Sequence, residues 1–143
     1  MKNKSASNKS NEVICPQLAA FARLLLRVTV GAIFLQAGWM KFQNPAMIQG
    51  ILAGINFPLS DVFAWIVIFS ELIGGALLVL GLWTKYATIP LMIVMLVAFF
   101  TVHLKDGLVP TTWYVMMIFF ALSVFFTSGA GKISLDNKLV ATK

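Results

Sequence analysis

Charge is what this chain of 143 residues has least of. Only 11% of its residues are charged, against roughly 25% in a soluble domain. Five acids stand against eleven Lys and Arg. A single cysteine, Cys15, excludes an internal disulfide and any Cys-rich metal or iron–sulfur site. A single histidine, His103, excludes a bis-histidine haem held within one chain, and no C-x-x-C-H is present. The chain is therefore expected to carry no metal, no covalently bound cofactor and no redox centre of its own.

What fills the sequence instead is apolar: 59% of the residues are hydrophobic. The pattern is that of an all-α integral membrane four-helix bundle, with a short interfacial helix between spans one and two. The net charge of +6 resembles a nucleic-acid signal. The basic residues, however, sit at the ends of apolar runs, where they set topology and meet lipid headgroups, so nucleic acid is not an expected partner.

Residues 1–17 are polar and rich in Lys, Asn and Ser, and read as a disordered tail. The membrane domain covers 18–136, and 137–143 form a second short tail. Span one runs from about Phe21 to Met40. At 100° per residue Arg27, Gly31, Phe34, Gly38 and Lys41 share a stripe, with glycines that admit a close neighbour. Two readings stand for Arg27: snorkelling to the headgroups, or pairing with an acid inside the bundle. Asn44-Pro45 reads as a cap and first position of a short helix, with Met47, Ile48, Ile51, Leu52 and Ile55 as its apolar face. Ser60 or Asp61 then caps span two.

Span two contains Glu71 near its middle, on the face of Ala64, Val67, Ile68, Gly74, Gly75 and Leu78. An ionisable group there costs at least a few kcal/mol unless paired, protonated or hydrated. Glu71 is a structural acid, a protonation site or a holder of a polar ligand head group. Span three runs from Tyr86 to His103 with Pro90 in its first turn; span four covers Thr112 to Ser128. Nine basic residues then fall on the side of both termini and two, Lys41 and Lys105, on the other. The positive-inside rule places both termini in the cytoplasm of a multi-pass protein of the cell membrane.

Gly129-Ala-Gly-Lys132 is not a phosphate loop: Phe126 stands where the first glycine belongs and Ile133 where Ser or Thr belongs. His103, at the outer end of span three, is either an interfacial histidine or a proton donor or acceptor to a quinone or quinol carbonyl. In the second case Glu71 lies deeper, and Phe99, Trp39 or Trp65 stacks on the ring.

These motifs resemble the DoxX family. Leu25-Leu-Arg27-x3-Gly31-x2-Phe-Leu-x2-Gly38-x2-Lys41 is similar to its first span. Glu71-Leu-Ile-Gly-Gly-x-Leu-Leu-x-Leu-Gly81-Leu-Trp-Thr-Lys85 is similar to its second span and turn. His103 and Gly129-x-Gly-Lys-Ile-Ser-Leu-Asp136 also match, so the resemblance covers roughly residues 20 to 136. Lys85 and Lys132 stand where arginine is common in the family, which keeps the charge but loses the planar fork.

The resemblance implies a small four-helix membrane protein linked to quinol oxidase, thiosulfate–quinone or thiol redox systems. The leading expectation is an accessory subunit of a respiratory or thiol/sulfur-linked oxidoreductase that binds quinone or quinol. Glu71 and His103 would handle protons, with Arg27 and Lys41 bracketing Glu71, and a partner redox enzyme would supply electrons. The alternatives are a small oligomeric permease or proton-coupled carrier, and a non-catalytic membrane scaffold for a soluble redox enzyme.

Overall fold

The computed structural model describes residues 3–103, 110–129, 131 and 134, except for the side chains of 3–16, 102 and 103. Five α-helices follow one another: α1 (Asn3–Gln43), α2 (Pro45–Gly54), α3 (Ser60–Leu80), α4 (Thr84–Ala98) and α5 (Pro110–Ser128). A π-helical turn, Phe99–His103, extends α4. Four stretches are long and apolar enough to cross a bilayer: Gln17–Gln43, Ser60–Leu80, Thr84–Thr101 and Pro110–Ser128. α2 is too short to span and forms the shorter helix expected after span one.

The spans form a ring. α1 packs most widely on α3, α3 packs on α4, and α4 on α5; α1 and α5 close the ring with the slightest contact. One core cluster joins all four: Val30 and Phe34 from α1, Leu78 from α3, Leu91 from α4, and Ile118, Leu122 and Phe125 from α5. Large apolar side chains such as Ile73, Phe100, Met117 and Phe120 point outward. In lipid that exposure carries no penalty, and helix association rests on close packing instead. Hydroxyls inside the spans turn back on their own helix, as Thr88 Oγ1 does to the Lys85 carbonyl at 2.8 Å and Ser123 Oγ to that of Phe119 at 2.9 Å. Such bonds give those hydroxyls a partner within their own helix.

The backbone of α1 is helical from Asn3. Three local expectations are corrected. Asn44 makes no side-chain capping bond, although Pro45 does take the first turn of α2. Neither Ser60 nor Asp61 caps α3; both are already helical, and Leu59, left-handed at φ 54°, holds the cap position. α4 starts at Thr84, so Pro90 lies inside it rather than in its first turn. The expected tail 137–143 lies outside the described residues.

Candidate functional site: a buried ion pair and a lateral groove

α1 and α3 run antiparallel and touch through glycine. A Cβ on Gly75 would lie 2.9 Å from the Gly31 carbonyl oxygen and 3.0 Å from the Leu35 nitrogen. A Cβ on Gly31 would lie 2.7 Å from Val79 Cγ2 and 2.9 Å from the Gly75 oxygen, and one on Gly38 would lie 3.1 Å from Glu71 Cβ. The contacts at Gly31 and Gly75 are closer than real Cβ atoms come and that at Gly38 is tighter than most, so the glycines let the two backbones approach directly.

That approach places Glu71. Its side chain is 0% exposed. Lys41, almost one turn beyond Gly38, donates from Nζ to Glu71 Oε1, while its own side chain stays 21% exposed. The pair therefore has a dry end and a wet end. Glu71 Oε2 has no hydrogen-bond partner among the described residues. A buried carboxylate with one oxygen bonded to an ammonium and the other unengaged can accept one further donor or a proton.

Arg27 does not join this pair. It is 2% exposed and sits at the other end of the α1–α3 contact, where a Cβ on Gly81 would lie 2.5 Å from its Nη1. Gly81 ends α3 in the left-handed conformation, its N–H bonded to the Leu77 carbonyl at 2.8 Å. The cation thus faces the carbonyl-rich, negative end of α3. Fourteen residues of helix, about 21 Å, separate Arg27 from Lys41. Of the two cations expected to bracket Glu71, only Lys41 reaches it, because the antiparallel register carries Arg27 past the end of α3.

The aromatic candidates divide. Trp39 is 55% exposed and stacks on Phe42 at 5.8 Å; Phe42 meets Trp65 edge-on at 6.1 Å, and Trp65 stacks on Phe69 at 5.8 Å. This ladder runs over the outer surface of α1 and α3 and does not enclose Glu71. Trp65 and Phe69 also line a groove of about 680 Å³ between α3 and α4, together with Ser70, Trp83, Tyr86 and Pro90. Ser70 lies on its wall, immediately before Glu71 in α3 but on the opposite side of that wall. Phe99 belongs to a different place: it lines an apolar cavity of about 160 Å³ between α4 and α5, with Met95, Phe119 and Phe120. His103 ends the π-helical turn, and its side chain lies outside the described residues.

Ser70, Phe69, Trp83 and Tyr86 were not singled out by sequence reasoning as ligand contacts. The available signal was weak: a Ser-Glu doublet in an otherwise apolar span, and two aromatics at interfacial depth. Among the described residues no cluster of His, Cys, Asp and Glu could hold a metal ion.

Comparison with known proteins places this geometry in context. The sequence profile of the DoxX family matches residues 22–104, more than half of the chain. A Haemophilus influenzae protein described as uncharacterized is 32% identical over 120 residues, 79% of this chain and 87% of the relative. An uncharacterized membrane protein of Mycobacterium tuberculosis is 28% identical over 130 residues, 81% of this chain and 80% of the relative. A second Haemophilus influenzae protein, also uncharacterized, is 28% identical over 121 residues. No solved structure matches the chain. The profile match, the 32% relative and the four apolar helices together make this chain a multi-pass membrane protein of the DoxX family.

Proposed function

We propose that the protein is an accessory subunit of a respiratory or thiol/sulfur-linked membrane oxidoreductase, and that it holds a quinone or quinol in the groove between α3 and α4. The carrying observation is the groove itself. At about 680 Å³ it falls within the roughly 300–1,000 Å³ of small-molecule sites. It opens sideways to lipid, its walls are apolar and aromatic, and Ser70 supplies one hydroxyl to orient a carbonyl. From Val62 to Leu77 it follows α3 for about 22 Å, a length suited to a ring carrying one long tail.

When bound, a quinone carries two electrons and two protons between partner proteins. A partner redox enzyme would supply the electrons. Trp65, Phe69 and Tyr86 offer faces for the ring, and Ser70 Oγ a donor for its oxygen. Glu71 stands across α3 from the groove and outside its lining, so its unengaged Oε2 would accept a proton at one remove from the ring, with Lys41 linking it to the wetter end of the bundle. The basic end, with both termini, faces the cytoplasm.

A second reading rests on a separate observation: Lys41 and Glu71 lie directly beside the Gly38 contact and fasten α1 to α3 whether or not a ligand is present. Mass spectrometry of lipophilic compounds co-purifying with the full chain separates the two. Quinone is expected with the wild type and absent from Ile73→Trp, which fills the groove. Glu71→Gln is expected to keep the quinone and to lower quinone-linked respiration. No quinone with the wild type, together with unchanged respiration in both variants, would end the proposal and leave Glu71 as a fastener alone.

A further inference from the structure

At the basic end of the bundle three glycines adopt positive φ: Gly81 at 70°, Gly129 at 71° and Gly131 at 79°. A cation lies against each. Arg27 covers Gly81 from inside, as described. Lys85 from α4 lies along Gly129, where a Cβ would sit 3.3 Å from Lys85 Cε. Arg23 from α1 lies beside Gly131, where a Cβ would sit 3.9 Å from Arg23 Cδ. Two helices distant in sequence thus send exposed cations to Gly129 and Gly131. The glycines are two positions apart in sequence, a span of at most about 7 Å.

These two cations are not accounted for within the described fold. The one ion pair among the described residues is Lys41–Glu71. The acids whose side chains are described are Asp61 and Glu71, and neither is at this end. The C-terminus of α5 carries about half a negative charge, less than either cation, and Gly129 N–H already takes the Phe125 carbonyl at 2.8 Å. Among the described residues the patch is net positive. Beside it on α4 stand Trp83 and Tyr86, 70% and 74% exposed, residue types that settle at the headgroup layer.

We infer that Arg23 and Lys85, lying against Gly131 and Gly129, form a binding site for the phosphate of an anionic phospholipid. Lacking a Cβ, Gly129 and Gly131 let the stems of both side chains lie along them. The depth of the site, marked by Trp83 and Tyr86, is that of a lipid phosphate rather than of a bulk-water anion. This assignment is independent of the quinone groove, whose lining includes neither Arg23 nor Lys85.

Native mass spectrometry of the full chain, offered phosphatidylglycerol and phosphatidylcholine in equal amounts, tests it. The wild type should retain phosphatidylglycerol preferentially. Each basic residue near a membrane surface contributes about a five-fold preference, so Arg23→Gln and Lys85→Gln should each lose about that much and the double variant more. Arg23→Lys and Lys85→Arg should restore it, which a variant that merely misfolds cannot show. Equal retention of the two lipids by the wild type, or full preference in the double Gln variant, overturns the site. Displacement of the lipid by excess inorganic phosphate overturns the lipid assignment in favour of a soluble phosphate.

Discussion

Replacing Lys41 with methionine keeps the length of the side chain and removes its charge. Glu71, 0% exposed, then lies in the bundle with no cation beside it among the described residues. Breaking a buried ion pair from one side costs about 3–5 kcal/mol, because the remaining charge has lost its compensation. At roughly 2–4 °C per kcal/mol for a chain slightly larger than this one, the melting temperature of Lys41→Met falls by about 10 °C. Adding Glu71→Leu removes the stranded charge, and an apolar replacement of a whole pair is neutral or stabilising by about 1–4 kcal/mol. The double variant should therefore melt well above Lys41→Met. The cycle of wild type, Lys41→Met, Glu71→Leu and the double isolates the coupling energy. Thermal melts in lipid nanodiscs, followed by the fluorescence of the four tryptophans, supply the four numbers. The reasoning fails if Lys41→Met melts with the wild type, or if the double variant melts below Lys41→Met.

Gly75→Ala should destabilise the same protein by about 1–3 kcal/mol, the usual cost of overpacking, since its new Cβ meets backbone at 2.9 and 3.0 Å. Gly50→Ala, with nothing within 4 Å, should be neutral or stabilising by up to about 1 kcal/mol in the same melts. Gly81→Ala should cost about 1–2 kcal/mol from its left-handed backbone alone, and more from the collision with Arg27; a shortened side chain at Arg27 should recover part of that second loss. Cysteine introduced at Ser5 in a Cys15→Ser chain should react with a membrane-impermeant maleimide in inverted vesicles and not in intact cells. The opposite result would reverse the topology.

Much of the fold is legible in the residues because lipid restricts the choices. Apolar runs with charged ends count the spans, and Asn44-Pro45 with its apolar face marks α2. The glycines around Glu71 correctly turn it toward a neighbouring helix. Which cation meets Glu71 was not legible, since Arg27 and Lys41 lie on one stripe of α1. Their difference is vertical: the α1–α3 register, fixed by Gly31 against Gly75, sets Lys41 at the height of Glu71 and Arg27 at Gly81. The aromatics misled for a related reason. Trp39 and Trp65 are close in space to the ion pair but belong to the outer surface, and periodicity does not separate a lipid-facing ring from a ligand-facing one when both surroundings are apolar. The groove arises from the spacing of α3 and α4, which no single helix encodes.

The two ends of the α1–α3 contact have a consequence for how the chain enters the membrane. α1 presents a cation at each end of its own contact with α3. Lys41 waits at the level of the carboxylate, and Arg27 at the level of the last carbonyls. When α3 leaves the ribosome, its one intramembrane acid meets its partner in a helix already inserted. Sliding α3 by one turn, about 5.4 Å, would part both cations from their counterparts and drive the glycine contacts into side chains. The first hairpin is thus measured for depth before α4 and α5 exist, and the remaining two spans are laid against a pair whose height is already set.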